Sequence, residues 1–334
     1  MGEKPRVTII GTGGTISFEA RHRLDLVEYL DYARRQHIDE LLTRFPELTE
    51  AAQILGVDYR AISSSGIAPS DWLALNELVH ETAAATPAPH GIVITHGTAT
   101  LEETVYFLNL TSKVDQTLVV IGAQRPSTAL STDAAMNLLN AVRVAGAPES
   151  RGLGALTVLN DEIQAAREVT KTSTFRLNTF TSPDTGPLGY ADPDGRVVIY
   201  RRPSRRHAPD TEFDVRGRDR LPRVDIVYAY AGADAAAIDA FVAAGAEAIV
   251  VAGVPPGLPT PAQRSALEAA AERGVLVVHS SRGGRGRVGQ RTVLSEHGIV
   301  AADNLNPQKA RVLAMLALTV TRERPEIERI FATY

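Results

Sequence analysis

The chain has 334 residues, 44% of them hydrophobic, and its 35 Lys and Arg against 39 Asp and Glu give a formal net charge of -4. That length and apolar content suit two compact domains and exclude a disordered chain, while the mildly negative balance provides no global attraction to nucleic acid or to an anionic membrane. There is no cysteine, so disulfides and thiolate chemistry are excluded and cysteine usage carries no compartment signal.

In chain order, M-G-E-K-P-R-V leads directly into a strand pattern without the apolar stretch of a secretory signal, and no run is long enough to span a bilayer. The cytoplasm is therefore the expected compartment, with no membrane partner. Short β-branched runs then alternate with longer helical patterns, as in a parallel sheet covered on both faces. The strands expected first are Val7 to Ile10, Gly91 to Thr95, Thr117 to Ile121 and Ala155 to Leu159, and the helices are Asp71 to Ala85, Leu101 to Leu110 and Asp133 to Ala145. Ser17 to Glu50 is long, charged and of helical character. Asp192 to Pro222 is rich in Pro, Gly and Arg without sustained periodicity and reads as an interdomain connection. Beyond it, strands are expected at Val224 to Tyr228, Ala248 to Val251 and Val275 to His279, with helices at Ala233 to Ala244, Pro261 to Arg273 and Pro307 to Leu318.

Open parallel sheets bind ligands beyond the carboxyl ends of their strands, and two threonine-containing segments follow such ends. The first, V-T-I-I-G-T-G-G-T-I-S (Val7 to Ser17), carries Gly11, Gly13 and Gly14, which allow a tight path and bring amide N–H groups near a ligand. It partly matches a dinucleotide fingerprint, but Ile16 stands at the third glycine position. The second, I-T-H-G-T-A-T-L-E-E-T (Ile94 to Thr104), has capping-box spacing between Thr100 and Glu103, which would start a helix and aim its positive end at Thr98. Taken singly, Thr98 reads as a cap, His96 as a structural histidine and Lys171 as a solvated side chain. A threonine hydroxyl needs a base to act as a nucleophile, so threonines and a lysine drawn together are the chemistry to look for. Histidines are scattered without metal-ligand spacing, and neither metal nor cofactor is expected.

These segments, together with G-A-Q-R-P-S-T (Gly122 to Thr128), E-V-T-K-T-S-T (Glu168 to Thr174) and N-P-Q-K-A-R (Asn306 to Arg311), follow the order and approximate spacing of the L-asparaginase family, which the chain resembles over nearly its whole length. The resemblance implies an α/β fold: a larger N-terminal parallel-sheet, flavodoxin-like domain over 1–191, a connection over 192–222 and a smaller C-terminal α/β domain over 223–334. It also implies a homotetramer built from intimate dimers. Thr15 would attack an amide carbon to form an acyl-enzyme, Thr98 with Lys171 would assist proton transfer and activate water, and Tyr29, with Tyr32 as its rival, would orient the nucleophile from a lid formed by Ser17 to Glu50. The implied substrate-binding groups are Ser64, Ser65, Gly97, position 99 and the backbone carbonyl of Ala123.

The sequence departs from the family where Asp would follow the second threonine and Ala99 stands instead. That Asp completes a Thr-Lys-Asp arrangement and binds the substrate's α-ammonium, and Ala99 does neither. Removing a carboxylate from beside Lys171 lowers its pKa, each unit being worth about 1.4 kcal/mol, and leaves a better base. Hydrolysis is therefore expected to survive while recognition of a free α-amino group fails. Ser65 replaces the family's Gln, Pro256 an Asn and Arg291 a Glu, the last two being groups a neighbouring subunit supplies. Asp25 and Glu28 are candidate substitutes for the lost carboxylate. Arg282, Arg285, Arg287 and Arg291 read as a solvated loop or as a group binding an acidic substrate across a dimer interface; without interleaved aromatic residues they do not read as a nucleic-acid site. The expected protein is a hydrolase of linear or cyclic amide C–N bonds whose small substrate lacks a free α-amino group. The alternatives are a genuine L-asparaginase with weakened α-amino recognition and a non-catalytic ligand-binding relative.

Overall fold

The computed structural model describes residues 3–32 and 34–334, and the chain divides into two compact units, Met1–Arg216 and Gly217–Tyr334. The division falls inside the segment read as a connection, whose early part contains a strand, Val197–Ile199, too short for periodicity to reveal.

In the first unit an eight-stranded sheet runs in the order Val197–Ile199, Gly189–Ala191, Glu162–Ala165, Leu156–Leu159, Thr117–Ile121, Gly91–Thr95, Arg6–Gly11, Gln53–Asp58. The last five are parallel. Asn160 and Asp161, both at positive φ, then reverse the chain, and the remaining three strands are antiparallel. The sheet is thus mostly parallel rather than wholly so, because a tight turn returns Glu162–Ala165 directly, without the crossover helix that a parallel neighbour needs.

The central strands Gly91–Thr95 and Thr117–Ile121 are buried on both faces, as their continuous apolar runs require. On one face Val7, Ile9, Val93, Val119 and Ile121 pack with Leu138, Ala141 and Val142 of the helix Ala134–Gly146 and with Ile38, Leu41 and Leu48 of the lid segment. Elsewhere on the sheet, the helices Pro69–Ala83 and Leu101–Thr111 pack together: Trp72 stacks on Phe107 at 5.4 Å, and its Nε1 donates to Thr104 Oγ1 at 2.9 Å. The expected helical lid is short and broken. It holds the two-residue strand Phe18–Glu19 paired with Arg34–Arg35, one turn Tyr29–Tyr32, and the helices Ile38–Arg44 and Leu48–Ala51, with Pro46 between the last two.

The second unit is a wholly parallel sheet in the order Val224–Tyr228, Ala248–Gly253, Leu276–Ser281, Val300–Ala301. Its core joins Val227, Ile249, Val251 and Val277 to Ile238, Leu267 and Leu294. The N-P-Q-K-A-R segment is a helix start: Asn306 Oδ1 accepts the Lys309 N–H at 3.0 Å, and Pro307 opens the helix Pro307–Val320, where its missing N–H costs nothing. Arg311 Nε donates to Val224 O at 2.8 Å, tying that helix to the sheet. In the arginine-rich loop, Arg287 pairs with Asp303 at 3.1 Å and Arg282 lies 5.6 Å from the Tyr228 ring centroid, so part of the cluster is engaged by its own unit. Among the described residues, no helix is long and apolar enough to cross a membrane.

Candidate active site

The two threonine segments meet through glycine. Arg6–Gly11 and Gly91–Thr95 are parallel neighbours, so both chains leave the sheet at the same end. Thr12 locks them together there, its Oγ1 donating to Thr95 O at 2.6 Å. Two residues further on, Gly14 lies against the other loop so closely that a Cβ would stand 2.4 Å from Gly97 N and 2.5 Å from Gly97 Cα. Gly14 has φ 85° and ψ 177°, a region essentially closed to other residues. A Cβ on Gly97 would in turn stand 2.4 Å from Ser64 Oγ. Thr15 and Thr98 each follow one of these touching glycines, which brings the two buried hydroxyl residues into one region.

Thr15 Oγ1 lies 3.1 Å from Tyr29 OH. Three contacts set that phenol: the hydroxyl meets Thr15, the ring packs edge-on against Phe18 at 5.6 Å, and the Tyr29 N–H donates to Asp25 Oδ1 at 3.0 Å. Burial raises the Tyr29 pKa above 10.0, the hydrogen bond with Thr15 opposes this, and the Asp133 and Asp25 charges add to the rise. The phenol therefore stays protonated at neutral pH. Tyr32, by contrast, is 66% exposed, with Arg21 4.9 Å from its ring centroid.

Lys171 Nζ donates to Thr98 Oγ1 at 2.8 Å. The lysine sits on the two-residue strand Thr170–Lys171, paired with Phe180–Thr181 in a hairpin. Burial lowers its pKa below 10.5, and the Glu102 charge opposes that shift. Glu102 is itself buried in the first turn of Leu101–Thr111, a position its sequence setting did not reveal as close to a lysine 69 positions away. Asp25 serves the lid instead: besides holding the Tyr29 N–H, its Oδ2 lies 3.5 Å from Arg21 Nε. Glu28 is exposed and paired with Arg21 at 2.5 Å.

Thr100 occupies the N-cap position, but its side chain makes no cap. Its Oγ1 donates to Ser64 O at 2.7 Å, while Ser64 Oγ accepts the Ala99 N–H at 3.3 Å. The expected capping box thus gives way to a clamp between two loops, with Ser64 buried and Ala99 exposed. Ser65 is exposed, with its hydroxyl 3.0 Å from that of Ser63. His96 is fully buried, with Nδ1 2.8 Å from Gly97 O, and burial pushes its pKa down to about 4, so it is a neutral structural group.

The loop after Thr117–Ile121 closes the region. A Cβ on Gly122 would stand 2.9 Å from Thr98 Cγ2, and the buried Ala123 follows it. Asp133 holds this loop with both oxygens: Oδ2 accepts Gln124 N–H at 2.8 Å and Oδ1 accepts Arg125 N–H at 3.0 Å. Asn137 Nδ2 donates to Gly122 O and to Asp133 Oδ2, each at 3.0 Å. Neither Asp133 nor Asn137 stands out in the sequence; the signal would have been an Asp immediately preceding a helix, where its carboxylate can satisfy backbone donors.

Residues 6–205 match the family described as "Asparaginase, N-terminal", and residues 223–331 match the "Glutaminase/Asparaginase C-terminal domain". The chain is 41% identical over 330 residues to L-asparaginase 2 of Bacillus subtilis (strain 168), covering 99% of this chain and 87% of that protein. It is 40% identical over 331 residues to glutaminase-asparaginase of Pseudomonas fluorescens biotype A, covering 98% and 90%. The structure of a probable cytoplasmic L-asparaginase from Campylobacter jejuni superposes with a TM-score of 0.92 at 38% identity, covering 99% of this chain and 100% of the other. The chain is an asparaginase-fold amidohydrolase and belongs to the bacterial-type asparaginase/glutaminase family, whose members hydrolyse amide C–N bonds.

Proposed function

We propose that this amidohydrolase uses Thr15 as its nucleophile, through an acyl-enzyme, on a small amide without a free α-amino group. Tyr29 orients the Thr15 hydroxyl, and the Ala123 carbonyl receives the departing amide nitrogen. Lys171, whose pKa burial lowers, draws the Thr98 proton and so activates the water that cleaves the ester. The substrate restriction rests on Ala99. Between two threonines that the neighbouring loops hold in place, it offers a methyl group where the family resemblance puts a carboxylate. An α-ammonium brought there would lose water without gaining a charged partner, a cost that falls on binding.

Mass spectrometry of protein quenched during turnover tests the nucleophile. An acyl adduct on the peptide containing Thr15, absent from Thr15→Ala, is the expected result; an adduct on another residue would contradict it. A second reading, hydrolysis of L-asparagine itself, is supported by the names and the 40–41% identity of the relatives. Steady-state kinetics on L-asparagine and L-glutamine separate the two readings. We further propose a homotetramer acting in the cytoplasm; sedimentation of the purified protein and fractionation of the producing cell test these two points.

A further inference from the structure

Beside the candidate active site, a cleft of about 690 Å³ is lined by Arg125, Asn160, Phe175, Arg176 and Asn178 among other residues. This volume lies within the range of small-molecule sites. Its walls are fixed to the catalytic region by three separate attachments. Ser173 to Asn178 form the tip of the hairpin that carries Lys171. Thr179 pins that tip, its carbonyl accepting the Thr172 N–H at 2.8 Å and its Oγ1 accepting the Ser173 N–H at 2.7 Å. Arg125 lies two residues beyond Ala123, a reach of at most about 7 Å along the chain. Its N–H is held by Asp133, and its Nη1 donates to Ser131 O at 2.6 Å. Asn160 N–H donates to Asn137 Oδ1 at 3.0 Å, on the same side chain that holds Gly122 O.

The chemistry of these walls is one-sided. Two arginines and two asparagines line the cleft, no carboxylate stands among the described residues that line it, and Phe175 is 68% exposed. Two guanidinium groups suit a carboxylate, and the ring suits an apolar substituent next to it.

We propose that this cleft receives the amine half of an N-substituted amide, one whose leaving amine carries a carboxylate and an apolar side chain, as an amino acid does. The proposal rests on the reading that Thr15 is the nucleophile and that Ala123 faces the departing nitrogen, because that orientation sends the leaving group towards Arg125. The Thr15 oxygen bonds to the carbonyl carbon as the C–N bond breaks, and the amine departs with the proton that the threonine gives up. Water then cleaves the ester, releasing the carboxylic acid and restoring the Thr15 hydroxyl.

The test compares kcat/KM for N-succinyl-L-phenylalanine with that for its C-terminal carboxamide, using wild type, Arg176→Ala and Arg176→Glu. The expected wild-type preference for the carboxylate is about tenfold or more, as one charge-assisted hydrogen bond provides. Arg176→Ala reduces that preference and Arg176→Glu reverses it. Equal rates in wild type, or a preference unchanged in Arg176→Glu, overturn the subsite. Thr15→Ala separates this failure from failure of the underlying reading: turnover retained in Thr15→Ala overturns the nucleophile, whereas turnover abolished there with no preference overturns only the cleft. If neither compound is hydrolysed, titration of N-succinyl-L-phenylalanine into Thr15→Ala decides. Saturable binding that Arg176→Glu removes supports the cleft, and no binding overturns it.

Discussion

Gly14 and Gly97 touch through their backbones, with 2.4 Å between the position of a Cβ on Gly14 and the Gly97 nitrogen. No side chain fits between them, so the loops bearing Thr15 and Thr98 are separated by nothing larger than hydrogen. Gly14→Ala is expected to abolish activity and to cost about 1–3 kcal/mol in backbone strain alone, with the clash in addition. Denaturant unfolding and turnover of the same variant measure both; full activity would mean that the loops need not touch.

The Lys171–Thr98 pair predicts a pH dependence. The base for ester cleavage is neutral lysine, so where that step limits turnover kcat rises with pH as Lys171 loses its proton, at a midpoint below the ordinary 10.5 because burial disfavours the cation. Tyr29 is shifted the other way, upward from 10.0 by burial. Lys171→Met should remove the rising limb and lower kcat by about 10²–10⁴-fold, the usual contribution of proton transfer. A limb that survives in Lys171→Met would assign it to another group.

Asp25 fixes Tyr29 by accepting its N–H, and its other oxygen lies 3.5 Å from Arg21 Nε. Asp25→Asn retains an acceptor oxygen and should keep most of kcat, whereas Asp25→Ala lowers kcat more than it raises KM. Should Asp25→Asn instead fail on substrate binding, the residue would be contacting substrate.

Asp133 satisfies two backbone donors of the loop carrying Ala123. Asp133→Ala leaves both without their acceptor and should cost about 1–3 kcal/mol for each that stays buried, while also lowering turnover. Thermal unfolding alongside kinetics distinguishes the two effects.

Much of the fold was legible because alternating β-branched runs and helical periods are local signals. Gly91–Thr95, Thr117–Ile121 and Val224–Tyr228 match their expected limits. Gln53–Asp58, half-exposed at the sheet edge, lacks a continuous apolar run, and Gly189–Ala191 and Val197–Ile199 are too short to show a period. At the site, glycine spacing pointed to the loop that carries Thr15, and capping-box spacing, which the structure does not form, pointed to the one that carries Thr98. Long-range partners were not legible: that Thr100 binds Ser64 rather than capping its own helix, and that Glu102 acts on Lys171, depends on loops brought together only by folding.

Ala99 carries the central claim, and the most direct test of it is kcat/KM for succinamate and for L-asparagine in wild type and Ala99→Asp, with Thr15→Ala as the blank. The account predicts that wild type prefers succinamate, that Ala99→Asp shifts preference towards L-asparagine, and that Thr15→Ala turns over neither. Wild type faster on L-asparagine than on succinamate would contradict it.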